Sequence, residues 1–362
     1  MSSSTGHGHD TYVVCRTLPT LSRFSDDDLK HAINDSIQIY LPELEAFDHG
    51  LPAHFHRRFK AAWFEFTCAT VHLCNLISNF RLCKRQAAAM MQHIDLLYRV
   101  DDFMETLVDA YGISDISVAF EALQRCFQPY LSSSTCKTTR SRPGLRRVDS
   151  PVEALPSIAK PIDLERDLQD VIARMHSYPI SEANSQDRQW YSLELYDFLL
   201  AQLEQLDSEL PKTTIPGQLH KWITNVGARS VGTNYMFAMF SCLISLEEHG
   251  ESLWKTPTSL YLAQEFAQQI SVEFRILNDV GGRVRDRRDG TMSSCMLVEE
   301  GEFAELLKIA KLAAERSEVL LDRLVEGAED GRRVRDLLGM FRGSVRVSGE
   351  LYMADEPNRG AS

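Results

Sequence analysis

The sequence predicts an all-α protein, and three observations carry that prediction. Apolar residues recur at spacings of three and four over most of the chain, Gly and Pro gather at segment boundaries, and alternating strand patterns closed by Asn-Gly or Asp-Gly turns are missing. No repeat of fixed period occurs, which argues against a helical solenoid. The helices are therefore expected to pack around one shared centre. The 44% hydrophobic content is too high for a disordered chain, and no apolar run reaches the roughly 18 residues of a membrane-spanning helix.

Taken in order, residues 1–25 are rich in Ser, Thr, Gly and His, lack the apolar core of a secretory signal, and read as a mobile N-terminal tail. Helical periodicity follows near 26–36, 54–80, 84–111 and 114–128. From about 131 to 161 the pattern stops: SSSTCKTTRSRPGLRRVDSPVEALPSIAKP combines Ser, Thr and Pro with a basic cluster and reads as an inserted flexible loop. The period resumes near 162–178, 187–207, 216–225, 229–248, 258–286, 301–325 and 330–352, leaving 356–362 as a C-terminal tail. Residues 26–355 thus read as one helical domain carrying the loop.

Charge and cysteine usage narrow the classes further. With 51 acidic against 39 basic side chains the net charge is -12, the wrong sign for a primary nucleic-acid binder, whose basic face must replace the counterions of phosphate. The eight cysteines form no CxxC pair and several lie in apolar stretches, as expected of buried thiols in the reducing cytoplasm. The histidines form no HExxH.

Two segments carry chemistry. In Leu96-Leu97-Tyr98-Arg99-Val100-Asp101-Asp102-Phe103-Met104-Glu105 an apolar helix abruptly gains three carboxylates, with Asp101 and Glu105 one turn apart on the same face. Like charges at that spacing repel, so a divalent cation or basic partner would relieve the arrangement; an ordinary solvated acidic face is the bland alternative. In the second segment, Leu262, Phe266, Ile270 and Phe274 form an i+4 row that continues as Asn278, Gly282 and Asp286. At about 1.5 Å per residue, Asn278 and Asp286 are roughly 12 Å apart along the axis, so oxygen ligands replace hydrophobes on one inward face. Arginines at 283, 285, 287 and 288 interleave with them. They suit bound phosphate, although a salt-bridged helix end would look similar.

Together these segments resemble the DDxxD/E and NDxxSxxxE motifs of class I terpene cyclases. The second is particularly similar to the C-terminal class I domain of fungal bifunctional diterpene synthases, where a pattern of the form NDxGSxxRDR matches Asn278 to Arg287. The resemblance covers roughly residues 50 to 355. It takes in Arg229-Ser230-Val231-Gly232, at the place of a diphosphate-sensing arginine and helix break, and a closing segment with the late tyrosine Tyr352.

The resemblance implies a helical bundle around a central apolar cavity. It implies Mg2+, as three ions or with Mn2+ as the alternative, held by Asp101, Asp102, Glu105, Asn278 and Asp286. Gly282 departs from the family's Ser or Thr, so water is expected to fill that ligand position. Arg229, Arg285, Arg287 and Tyr352 would bind diphosphate, with Asp101, Asp102 and Arg229 catalytic. Aromatic wall candidates are Trp63, Phe66, Tyr98, Phe103, Trp222, Tyr235 and Phe237, each equally explained as plain core.

The implied reaction is ionisation of a prenyl diphosphate, geranylgeranyl diphosphate first, and cyclisation to a diterpene. Farnesyl diphosphate and copalyl diphosphate are the alternative substrates, and a catalytically degenerate interaction protein is the alternative class. No DxDD acid motif for protonation-initiated cyclisation is present. A chain-elongating prenyltransferase should carry two DDxxD-type motifs, and the Asn278 segment speaks against it. The protein is expected to act as a monomer or homodimer, with neither nucleic-acid partner nor transmembrane segment.

Overall fold

The computed structural model describes residues 18–35, 38, 82–131, 161–208, 216–247, 250–299 and 302–354. The expected helix at 54–80, with Trp63 and Phe66, and the loop body at 132–160 lie outside them. Among the described residues there are helices and no strand, as the periodicity requires.

After a helical stretch at 26–35, the order is α1 (Lys84–Ala110), α2 (Ser117–Leu131), α3 (Pro161–Met175), α4 (Ser185–Leu206), α5 (Pro216–Trp222), α6 (Thr233–Glu247), α7 (Pro257–Asp289), α8 (Phe303–Glu326) and α9 (Gly331–Ala354). The longest, α7, spans 33 residues, about 50 Å at the α-helical rise. Its ends are written in the sequence. Thr256 and Ser259 form a capping box with Pro257 at the first turn, and Gly290 closes the helix in the left-handed region at φ 70°. In α4, the Asn184 side chain accepts from the Asp187 backbone N–H.

The main core joins α1 to α4, α6, α7 and α9, with fully buried Tyr191, Phe198, Phe237, Phe266 and Phe341 among its members. A second cluster lies on the other side of α7, where Val272, Ile276 and Val280 meet Trp222, Leu306 and Ala310. One helix is thus apolar on two sides, which a single amphipathic stripe would not provide.

Two local differences from the sequence reading have clear causes. The expected helix at 229–248 begins only at Thr233, because the preceding chain ends in a π turn, Ile223–Gly227, a short α turn, Ala228–Ser230, and then Gly232 at φ 75°. Residues 18–25, within the expected mobile tail, pack instead on α9. Leu18 and Leu21 are buried with Val347 and Leu351, and Thr20 donates through its backbone N–H and its hydroxyl to the Glu350 carboxylate at 3.0 and 2.6 Å.

Candidate functional site

An apolar cavity lies between α1, the break before α6, α7 and α9. Leu97 and Tyr98 line it from α1, Val231 and Gly232 from the break, Phe274 from α7 and Phe341 from α9. The two helices with candidate ligands both contribute to this wall and have different neighbours: α1 packs on α4 and α6, whereas α7 packs chiefly on α8 and α9. One turn after Leu97 comes Asp101, and one turn after Phe274 comes Asn278. Both motifs therefore begin where the apolar wall ends.

On the α1 rim, Asp101 is part-exposed and its Oδ1 accepts from Gln202 Nε2 at 2.8 Å. The same nitrogen donates to the Ser230 carbonyl at 2.7 Å. Asp102 and Glu105 share the helix, but their side chains lie outside the described residues.

On the α7 rim, adjacent residues divide the work. Asp279 turns into the protein, where Arg275 Nε pairs with its Oδ1 at 2.8 Å and the Ser294 backbone N–H donates to Oδ2 at 2.8 Å. Arg275 also reaches Ser230 Oγ and the Met292 carbonyl, and its guanidinium lies 5.0 Å from the Trp222 ring centre. Asn278 and Asp286 belong to the other face, with Gly282 between them. A Cβ at Gly282 would stand 3.3 Å from Asp286 Oδ1, so position 282 looks directly onto that carboxylate. Burial pushes the Asp286 carboxyl up to about 6, helped by the charge of Asp279 and opposed by Arg285, whose Nη2 lies 3.0 Å away.

Gly281 has a different task. A Cβ there would meet the Tyr352 backbone oxygen at 2.4 Å, so only glycine lets α9 approach so closely. This contact brings Tyr352 beside the cavity wall, with its ring at 5.8 Å from Phe274 in an edge arrangement. Arg285 and Arg287 are exposed beyond the rim.

Arg229 sits on the last turn before the break. Its guanidinium bonds to Glu204 Oε2 at 2.9 Å, to Asp197 Oδ1 at 3.2 Å, and to the Asn225 carbonyl. The carboxylates of α4 thus hold its guanidinium beside the helix break.

Of the described wall candidates, Tyr98 lines the cavity. Phe103, Trp222, Tyr235 and Phe237 are buried elsewhere in packing, with Tyr235 donating to the His93 carbonyl and Phe237 among Trp190, Trp254, Phe266 and Phe341. Sequence reasoning missed Phe274 and Phe341 as wall residues and Gln202, Asp197 and Glu204 as partners of the rim. Phe274 had a usable signal, since it precedes Asn278 on the same i+4 row. The α4 residues had none, because their partners are remote in sequence. Among the described residues no group of three or more His, Cys, Asp or Glu forms a ready metal cluster. No described helix is long and apolar enough to cross a membrane.

The described residues thus form an all-α protein with an apolar cavity lined in part by α1, which bears Asp101, and by α7, which bears Asn278 and Asp286. Known proteins share parts of this sequence and its fold. No family model matches the chain. Pimaradiene synthase pbcA of Emericella nidulans is 24% identical over 328 residues, covering 80% of this chain and 33% of that protein. Ent-kaur-16-ene synthase of Phaeosphaeria sp. is 29% identical over 138 residues, 38% of this chain and 14% of that protein. The chain therefore spans about a third or less of the length of these relatives. Among solved structures, linalool/nerolidol synthase of Streptomyces clavuligerus shares the fold, with TM-score 0.50, 15% identity, and coverage of 89% of this chain and 95% of that one. The chain is thus similar in sequence to part of two diterpene-forming synthases and in fold to a terpene synthase.

Proposed function

We propose that this protein is a class I terpene cyclase that ionises an allylic prenyl diphosphate and folds the resulting carbocation into a cyclic product. The observation that carries the reading is the junction of two surfaces. Leu97, Tyr98 and Phe274 line an apolar cavity, and one turn further along the same helices stand Asp101 and Asn278. A molecule with a hydrocarbon tail and an anionic head matches that junction.

The donor set fits a hard divalent cation such as Mg2+, because every candidate ligand offers oxygen. Asp101, Asp102 and Glu105 would hold it on α1, and Asn278 and Asp286 on α7, with water at the Gly282 position. Arg285 Nη2 and the Asp286 carboxylate crowd the space in front of Gly282, so a water there would require the flexible Arg285 side chain to swing aside. A cation bound there would have to offset the burial that raises the Asp286 carboxyl to about 6. Bound there, Mg2+ supplies electrostatic stabilisation to the departing diphosphate.

The residues of the chain do the rest. Arg229, Arg285 and Arg287 add positive charge, and Tyr352 a hydroxyl, for the diphosphate as the allylic C–O bond breaks and both electrons leave with oxygen. Leu97, Phe274 and Phe341 exclude water from the cation, and the faces of Tyr98 and Phe274 attract it without offering a nucleophile. A C20 substrate, geranylgeranyl diphosphate, is favoured by relatives named for pimaradiene and ent-kaurene. Farnesyl and copalyl diphosphate are the alternatives. Cytoplasmic action is supported by the unpaired thiols at Cys83, Cys126, Cys242 and Cys295.

A second reading, a catalytically degenerate helical protein, is favoured by one observation, the glycine at position 282. Both are tested by incubating the protein with Mg2+ and prenyl diphosphates from C10 to C25, copalyl diphosphate included, and examining hexane extracts by mass spectrometry. A cyclic hydrocarbon or alcohol is expected. Its absence with every substrate sinks the cyclase reading in favour of the degenerate one.

A further inference from the structure

We propose that Gln202 is a positioning residue that ties the Asp101 carboxylate to the helix break bearing Arg229, so that the two engage cation and diphosphate as one unit. The inference rests on the cyclase reading and adds to it a residue that none of the motifs contains. Gln202 is 6% exposed on α4, far in sequence from both partners. Its Nε2 has two hydrogens and two acceptors within reach, Asp101 Oδ1 at 2.8 Å and the Ser230 carbonyl at 2.7 Å.

Both acceptors lack hydrogens to donate, so the amide can face them only through nitrogen. That requirement fixes the orientation of the amide and, through it, the position of Oδ1. Ser230 adjoins Arg229, and its hydroxyl also accepts from Arg275, the residue that holds Asp279 on α7. A single amide therefore connects the α1 rim, the break and, through Arg275, the α7 rim. Hydrogen-bond partners that orient a metal-binding carboxylate typically matter by about 10- to 100-fold in metal affinity or activity.

The sharpest variant is Gln202→Glu, which keeps the shape and replaces both donors by acceptors; Gln202→Met removes polarity at similar length. Three readouts separate positioning from structure: apo Tm, the Tm shift caused by Mg2+ with inorganic diphosphate, and the Mg2+ concentration giving half-maximal turnover.

The expected result is an apo Tm close to that of the wild type in at least one variant. In it, the diphosphate-dependent shift shrinks and half-saturating Mg2+ rises about tenfold or more. If the wild type responds to Mg2+ and diphosphate and both variants respond equally, the role of Gln202 is overturned while the cyclase reading stands. If both variants fail to fold, Gln202 is a core residue and the proposal fails. A wild type that neither turns over nor responds overturns the cyclase reading and the role of Gln202 with it.

Discussion

The two rims of the cavity solve the same problem differently. On α1, the Asp101 carboxylate is part-exposed and is held by an amide from another helix, Gln202. On α7, the corresponding support is local: Arg275, Asp279, Gly282 and Asp286 lie within three turns of one helix, and Asp279 gives up its carboxylate to anchor the Ser294 loop. Of the Asn-Asp pair at 278 and 279, Asp279 therefore serves the fold, which leaves Asn278 as the candidate ligand of the pair. A motif read as a string of ligands conceals that division.

Substitutions on one face of α7 or the other test this contrast. The largest effect is expected from Asn278→Ala and Asp286→Ala, which should each lower turnover by about three orders of magnitude, roughly 4 kcal/mol of barrier. Single-turnover assays at saturating Mg2+ would check this, and near-normal rates would place the cation site elsewhere.

Arg275→Leu acts on the opposite face. It leaves the Asp279 carboxylate, itself 1% exposed, without its cation. A loss of about 3 kcal/mol in urea-unfolding free energy is expected, the cost of breaking a buried ion pair from one side.

The neighbouring glycines give the most direct comparison. Gly281→Ala drives a methyl into the Tyr352 carbonyl at 2.4 Å and should cost about 2 kcal/mol after the gain in helix propensity is subtracted. Gly282→Ser instead meets Arg285 Nη2 at 3.0 Å, the mobile end of a side chain that can move away. It should change stability by less than about 0.5 kcal/mol. Metal affinity should be preserved or improved. Complete loss of activity in this variant would show that the site requires the open backbone at 282.

A smaller effect concerns Glu194 on α4, near Arg229. Burial raises its carboxyl from 4.5 to about 7, with Asp197 adding to the rise; a hydrogen bond from Trp190 Nε1 at 2.9 Å and the charge of Arg229 oppose it. Between pH 4.5 and 7 the folded state holds a proton that the unfolded state has lost, so stability falls as pH rises through that window. Glu194→Gln should remove this decline, so that it stabilises the protein more at pH 8 than at pH 5. Equal unfolding midpoints for variant and wild type at pH 8 would assign the carboxylate no cost.

Much of this was legible before any coordinates. The i+4 row from Leu262 to Asp286 is a linear pattern, and the structure keeps it as one helix with Phe274 at the cavity and Asn278 one turn on. The helix break was half legible. Gly232 stood in the right place, but periodicity carried the reading straight through it, because a 3.6-residue pattern is blind to one residue at positive φ. The aromatic wall was the least legible part. Phe237 and Phe341 have the same chemistry, yet only Phe341 meets the cavity, since Phe237 points into a cluster of other rings.

Local sequence was enough for the elements and for the candidate ligands: helices from spacing, ends from Thr256, Pro257 and Gly290, and candidate oxygen ligands from the interruption of an apolar row. These are properties of residues close together along the chain, where the geometry of one helix is enough to relate them. Tertiary structure decided which side chains answer them. That Gln202 meets Asp101 and that Gly281 admits α9 follow from helix packing, and that Asp279 serves Ser294 follows from the loop that folds back after α7; none of these leaves a periodic trace in the sequence.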